Sequence, residues 1–186
     1  MENIQASIGT SCLGLFGAGY LGRTVACGLL AAGFPREKLV VCHRGSAETS
    51  RALKAAGLAD RVASASEVTG RSKILLCTVR PQDCAALVDY ELPPDALLVS
   101  FMAGVFLDRI PVRPATVRRV RIMTSAPDTI ARKNGIAAVH PADDAVARQG
   151  EREVLDQGAS AEALVEVGHL DHDVAQSRPD RNLDLL

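Results

Sequence analysis

The chain has 186 residues, a length that suits one domain, and its 47% hydrophobic and 23% charged residues are typical of a globular protein. A formal net charge of −1 disfavours a nucleic-acid-binding protein, because such proteins carry a clear surplus of lysine and arginine. Aromatic residues make up only 3%, which disfavours a sandwich built on aromatic pairs and a platform that stacks nucleic-acid bases.

Short apolar runs alternate with helical patterns along most of the chain. Strands are predicted at 12–16, 39–42, 61–63, 74–79, 96–100 and 117–123. Helices are predicted between them at 19–33, 46–56, 66–68 and 81–90, where Ser46 and Pro81 suit the first positions of their helices. Continuous apolar strands that alternate with helices indicate a parallel sheet covered on both faces. The predicted fold is therefore α/β, a Rossmann-type doubly wound domain with a mostly parallel sheet and a short C-terminal appendage.

A glycine-rich loop follows the first predicted strand and opens the first predicted helix, in the order that a GxGxxG motif requires. In such a loop the first glycine permits the tight turn, the second lets a pyrophosphate approach the backbone, and the third lets helix and strand pack closely. The free N–H groups at the helix start then hold the anion, so the motif predicts a bound dinucleotide. The residues of the loop are Gly17, Ala18, Gly19, Tyr20, Leu21 and Gly22.

The end of the second predicted strand distinguishes NADP from NAD. An NAD site usually has an aspartate or glutamate there, which accepts hydrogen bonds from the ribose hydroxyls. This chain reads Cys42-His43-Arg44-Gly45-Ser46 and has no acid at that point. Arg44 suits a 2′-phosphate, Ser46 suits a donor to it at a helix start, and His43 suits a place beside the adenine. We therefore predict that NADPH is preferred over NADH.

Two further loops leave predicted strands at the carboxyl edge of the sheet, outside which the ligands of such sheets bind. Both are expected to line the dinucleotide, the first of them on its nicotinamide side. In the second loop Gly104 lets the backbone come near a ring or ribose. The first loop contains Thr78, Val79, Arg80 and Pro81, and the second contains Met102, Ala103 and Gly104.

The charge of the chain changes sign towards its end. Residues 108–133 carry seven basic and two acidic groups, whereas residues 141–186 carry eleven acidic and four basic groups. We therefore divide the chain into a dinucleotide-binding Rossmann domain at 1–140 and a short acidic segment at 141–186. This segment is expected to be helical over 143–156 and poorly ordered at its end.

Taken together, the segments of residues 12–140 resemble the pyrroline-5-carboxylate reductase family. That family has a glycine loop after its first strand and an Asn-Arg or similar pair after its second. An Ala-Val-Lys-Pro-Gln stretch, a Ser-x-x-Ala-Gly turn and a Met-Pro-Asn-Thr-Pro motif follow, and the order and spacing agree here. The matching stretches are 17–22, 43–44, 78–82, 100–104 and 121–127.

The resemblance implies NAD(P)H-dependent reduction of a cyclic imine to proline, with the hydride delivered to the carbon of the C=N bond. It also implies that Met123, Thr124 and Ser125 lie near the substrate. Where the family has Pro-Asn-Thr this chain has Thr124-Ser125-Ala126, so an amide that family members place near the site is missing. No catalytic acid is identified. A protonated imine already accepts hydride well, and the reaction mainly needs positioning and the cofactor.

Members of that family continue beyond this length with a C-terminal helical domain that forms the dimer and completes the imine site. Their Leu-Ser-Gly-Ser-Gly-Pro stretch corresponds to residues 174–179 here, shortly before the chain ends. We therefore expect a truncated relative. A homo-oligomer or a partner subunit would have to supply the missing half of the site.

Two other functions remain open on this sequence. A truncated relative could be a non-catalytic NADP-binding module or regulator. The deazaflavin-dependent NADP reductases use the same domain and are also short, which favours them. The Pro-Gln pair after Arg80 and the residues from Met123 to Pro127 favour the cyclic-imine reductases instead.

The cysteines and the amino terminus bear on the cell compartment. The five cysteines include no CxxC pair, so we predict neither a disulfide framework nor a metal site. No basic stretch of a signal peptide precedes the first strand, and no apolar run reaches the roughly 20 residues that a membrane span needs. We expect a cytoplasmic protein with a small-molecule substrate and neither a membrane nor a nucleic-acid partner.

Overall fold

One six-stranded sheet forms the centre of the fold in this computed structural model, which describes residues 12–132, 135 and 137–141. Its strands are β1 (Cys12–Phe16), β2 (Leu39–Cys42), β3 (Ser72–Cys77), β4 (Leu97–Ser100), β5 (Arg118–Thr124) and β6 (Ala137–Pro141). Their spatial order is β2-β1-β3-β4-β5-β6; β1 to β5 are parallel, and β6 runs antiparallel to β5. The predicted Rossmann-type α/β fold with a mostly parallel sheet is confirmed.

Helices connect these strands. The α-helices are α1 (Tyr20–Ala31), α2 (Ala47–Ala55), α3 (Ala65–Arg71) and α4 (Pro127–Ala131), and 3-10 helices span Arg36–Lys38, Ala59–Arg61, Pro81–Asp89 and Leu107–Arg109. Ser46 caps α2, since its hydroxyl oxygen accepts a hydrogen bond from the N–H of Thr49 at 3.1 Å. Over the residues that the structure describes, no helix is long and apolar enough to cross a membrane.

Aliphatic side chains fill both faces of the sheet, because alternate residues of a strand point to opposite sides. On one side Leu13 and Leu15 of β1 pack in a cluster with Val25 of α1. On the other side Leu75 of β3 packs in a second cluster with Leu87 of the 3-10 helix Pro81–Asp89. The central strands are thus buried on both faces, which is why they read as continuous apolar runs.

Several segments differ from the prediction, and the helix α4 was not predicted. The strand expected at 61–63 is a single parallel bridge between Val41 and Val62. The helix that begins at Pro81 is a 3-10 helix. The strand β6 was not predicted, because its residues are two alanines, a valine, a histidine and a proline, a composition with little strand propensity. Its pairing with β5 is what makes it a strand.

The acidic segment expected at 141–186, with its helix at 143–156, lies outside the described residues apart from Pro141.

Candidate functional site

The candidate site segments come together at one edge of the sheet. Because β1 to β5 are parallel, their carboxyl ends lie at the same edge of the sheet, and the loops that follow them all leave at that edge. Strand β2 lies on one side of β1 and β3 on the other, so the connections diverge between β1 and β3. Ligands of such sheets bind at that point of divergence. The segments at this edge are 17–22 after β1, 43–46 after β2, 78–81 after β3, 102–104 after β4 and 123–125 at the end of β5.

The three glycines of the loop have different surroundings. Gly17 has a φ of +105°, and a Cβ there would lie 2.8 Å from Val79 Cγ1. At Gly22 a Cβ would lie 2.2 Å from the carbonyl oxygen of Gly17 and 2.6 Å from Thr78 Oγ1. At Gly19 a Cβ would meet nothing within 4 Å. The first glycine therefore makes the turn, the third permits close packing of α1, and the second faces open space.

The loop after β3 anchors the glycine loop. Thr78 donates from Oγ1 to the carbonyl of Gly17 at 2.5 Å, and its N–H donates to the carbonyl of Phe16 at 3.0 Å. On the other side Arg23 Nη1 donates to the carbonyl of Ala18 at 2.9 Å. These bonds occupy the carbonyl oxygens of Gly17 and Ala18. The partial negative charge of the two oxygens is therefore directed to donors of the protein and repels an approaching anion less.

The start of α1 fits the diphosphate of a dinucleotide. The helix has 12 residues, and around its described first turn there is neither a capping side chain nor an acidic residue. Its first N–H groups have no partner within the helix, and no acidic residue of its own first turn offsets its partial positive charge. Together with the open space at Gly19, this arrangement suits a bound phosphate group.

Arg44 and Arg80 meet at one carboxylate, that of Asp83. Arg44 forms a bidentate ion pair with it, since Nη1 to Oδ1 and Nη2 to Oδ2 are both 2.9 Å. Arg80 donates from Nε to Oδ2 at 3.1 Å. Arg80 therefore lies beside Arg44, towards the β2 side, whereas the sequence suggested the nicotinamide side. Asp83 was missed, although its spacing of three residues from Arg80 is typical of a helical ion pair.

His43 and Ser46 make local hydrogen bonds in the loop after β2. His43 Nδ1 accepts from the N–H of Gly45 at 3.0 Å. Ser46 Oγ donates to Thr49 Oγ1 at 3.2 Å while it accepts from the N–H of the same residue. The hydroxyl proton of Ser46 is therefore directed to Thr49, and its predicted bond to a phosphate would need a rotation of the hydroxyl.

The loop after β4 combines a buried and an exposed part. Met102 is buried, and its N–H donates to Ser100 Oγ at 3.3 Å. Ala103 and Gly104 are exposed, and Gly104 has a φ of +72° with nothing within 4 Å of an added Cβ. Met102 thus fixes the loop to the core, while the next two residues present backbone at the edge.

The end of β5 lies next to the start of α1. Met123 is 42% exposed, and Ser125 Oγ lies 2.6 Å from Thr129 Oγ1. Tyr20 of the glycine loop donates from its hydroxyl to the carboxylate of Asp128 in α4. This bond and the charge of Asp128 raise the pKa of Tyr20. The structure thus ties the predicted substrate segment to the glycine loop through Asp128, which the sequence did not single out.

Two cysteines end strands beside the site. Burial raises the pKa of Cys42 to about 11 and that of Cys77 to about 12. Both thiols are therefore neutral at physiological pH, and neither is a thiolate nucleophile.

Comparison with known proteins agrees with this geometry. The family model described as NADP oxidoreductase coenzyme F420-dependent matches residues 12–104. No curated protein sequence matches the chain.

Solved reductases share the fold. A pyrroline-5-carboxylate reductase from Coxiella burnetii is 18% identical with a TM-score of 0.59, over 90% of this chain and 72% of that one. A pyrroline carboxylate reductase from Plasmodium falciparum with NADP bound is 16% identical with a TM-score of 0.54, over 93% and 72%. An imine reductase variant from Myxococcus stipitatus in complex with NAD+ is 18% identical with a TM-score of 0.57, over 89% and 62%. The chain therefore belongs to the family of NADP oxidoreductases described as coenzyme F420-dependent, and it has the fold of these reductases.

Proposed function

We propose that the chain is an NADPH-dependent reductase of a cyclic imine, of the kind that serves proline biosynthesis. The observation that carries the cofactor assignment is the open face at Gly19, where α1 begins without an acidic residue. The segments 100–104 and 121–127 support the cyclic imine, because they follow the order of the reductase motifs. The reductase fold supports it further.

The cofactor would lie along the edge described above. The backbone N–H groups of Gly19, Tyr20 and Leu21 would bind its diphosphate, and the guanidinium groups of Arg44 and Arg80 would favour a 2′-phosphate. When bound, the reduced nicotinamide supplies a hydride. The other residues proposed to line it are Gly17, Ala18, Gly22, His43, Ser46, Thr78, Val79, Pro81, Met102, Ala103 and Gly104.

The substrate would lie at the end of β5, against Met123, Thr124 and Ser125. The chain's contribution is to position a protonated imine and to restrict its motion, which lowers the barrier without an acid from the chain. We propose that a second copy or a partner subunit covers the rest of this site. All five cysteines are unpaired, which suits a cytoplasmic protein.

A second candidate is oxidoreduction between NADP and coenzyme F420, a deazaflavin. The description of the matching family favours it. The same glycine loop would hold NADP, and the deazaflavin would take the place of the imine.

Turnover by the purified full chain distinguishes these functions. Loss of NADPH absorbance with pyrroline-5-carboxylate is expected, and the same chain with NADP and reduced F420 tests the second candidate. Tight NADPH binding without either reaction would contradict both enzymes and leave a cofactor-binding module. Absence of NADPH binding would contradict all three.

Two glycine variants test the cofactor assignment directly. Gly19→Val fills the open space at the glycine loop and should raise the Kd for NADPH at least about tenfold. Gly70→Val in α3 is the matched control, because an added Cβ there also meets nothing within 4 Å. It should leave the Kd for NADPH unchanged.

A further inference from the structure

We propose that Asp83 sets the balance between NADPH and NADH. Its carboxylate holds Arg44 and Arg80 side by side at the place proposed for the 2′-phosphate of the cofactor. Its negative charge opposes that phosphate. The inference rests on the dinucleotide site of the proposed function. It adds a specificity-determining residue that lies 39 positions from Arg44 in the sequence.

Asp83 brings an acid to a place where β2 supplies none. In sheets of this kind an acidic side chain at the end of the second strand accepts from the ribose hydroxyls and so favours NAD. Here His43 and Arg44 occupy that position. Asp83 reaches it from the 3-10 helix after β3, since both of its oxygens lie 2.9 Å from the guanidinium of Arg44. The site therefore combines guanidinium groups that suit a phosphate with a carboxylate whose charge opposes one.

The exposures of the three side chains show how they are layered. The side chains of Arg44 and Arg80 are 69% and 67% exposed, whereas that of Asp83 is only 15% exposed. The carboxylate thus lies beneath two guanidinium groups that face solvent. Two positive charges and one negative charge give the cluster a net charge of +1. A 2′-phosphate consequently meets half of the charge that the arginines alone would present.

Both arginines keep donors for a phosphate while Asp83 stays in place. A guanidinium has five N–H donors. Arg44 uses one hydrogen on each Nη towards Asp83, and Arg80 uses its Nε–H. No acceptor among the described residues binds the remaining N–H groups of these two side chains. A 2′-phosphate can therefore bind both guanidinium groups, with Asp83 as a weakening charge.

The variant Asp83→Asn separates charge from position, because the amide keeps an oxygen for the arginines. The probes are 2′,5′-ADP and 5′-AMP, which differ only in the 2′-phosphate, together with NADPH and NADH. Calorimetry on the full chain should show the affinity ratio of 2′,5′-ADP to 5′-AMP rising about tenfold. The ratio of NADPH to NADH should rise in parallel. An unchanged or lower ratio would overturn the proposal.

Two further variants keep this test decisive. Asp89→Asn removes an exposed carboxylate from the same 3-10 helix and should leave both ratios unchanged. Arg80→Gln removes one phosphate donor and should lower the ratio of 2′,5′-ADP to 5′-AMP about tenfold. An unchanged ratio in Arg80→Gln would overturn the two-arginine clamp, even if Asp83→Asn failed to fold.

Failure of the proposed reductase function and failure of the proposed role of Asp83 give different results. Binding of NADPH without turnover of an imine overturns the reductase, while the nucleotide ratios still decide on Asp83. If the wild-type chain binds none of the four nucleotides, the cofactor site and the role of Asp83 are both overturned.

Discussion

The hydroxyl of Tyr20 donates a hydrogen bond to the carboxylate of Asp128, and this bond joins the first residue of α1 to the second residue of α4. The glycine loop and the segment after β5 are thereby held together at the edge of the sheet. The bond keeps the proton on the phenol, and the negative charge of Asp128 acts in the same direction. Both raise the pKa of Tyr20 above its ordinary value of 10.0.

Asp128→Asn should lower the pKa of Tyr20 towards that ordinary value. Because the pKa is raised in the folded state, the contribution of the bond to stability is full below pH 10.0 and is lost as the pH rises through the folded pKa. Thermal unfolding should therefore separate the wild type from Asp128→Asn at neutral pH and bring them together at strongly alkaline pH. An absorbance titration in a Tyr90→Phe background measures the phenol of Tyr20 alone. An unchanged titration curve would contradict the bond.

Gly22→Ala should destabilise the fold, because the added Cβ would lie 2.2 Å from the carbonyl oxygen of Gly17. We expect a loss of about 1–3 kcal/mol in the free energy of unfolding, measured in urea. Gly70→Ala is the matched control, since it is also a helical glycine but has open space around the new methyl group. It should gain about 0.5–1 kcal/mol from helix propensity. Equal effects of the two variants would show that the packing of Gly22 is not tight.

Cys42 and Cys77 should resist alkylation in the folded protein at neutral pH. Burial raises the pKa of Cys42 to about 11 and that of Cys77 to about 12, so almost no thiolate is present to react. Cys27 is only half-buried and should react before them. Iodoacetamide labelling followed by peptide mass mapping measures each site, with the urea-unfolded chain as the reference. Labelling of Cys77 at the unfolded rate would contradict its burial.

Local pattern was sufficient to predict most of the sheet. The residues Leu39–Cys42 and the apolar part of Ser72–Cys77 read as buried strands because both faces of these strands are covered. The steric roles of Gly17 and Gly22 also follow from the spacing of the motif, since the turn and the close packing are local requirements.

Contacts between distant residues could not be predicted in this way. Asp83 meets Arg44 across 39 positions, and Asp128 meets Tyr20 across 108 positions. No local periodicity encodes such pairs, because only the sheet order brings their loops together. The strand β6 has the same origin, since it is specified by its partner β5 and not by its own composition.

Arg121 on β5 is half-buried, and part of its guanidinium group lacks a partner among the described residues. Its Nε and Nη2 atoms are buried, and within the part of the chain that the structure describes they have no hydrogen-bond partner. Its neighbours in register are Ser100 of β4 and His140 of β6, and neither supplies a carboxylate. Removing these two N–H-bearing atoms from water without acceptors costs free energy that the fold must recover elsewhere.

Arg121→Met should therefore stabilise the protein. Methionine has a similar length and leaves no donor unsatisfied, so we expect the free energy of unfolding to rise by about 1–3 kcal/mol in urea. Arg109→Met replaces an exposed arginine and should change it by less than about 0.5 kcal/mol. A loss of stability confined to Arg121→Met would contradict this expectation. It would show that the guanidinium of Arg121 has a stabilising hydrogen-bond or ion-pair partner in solution.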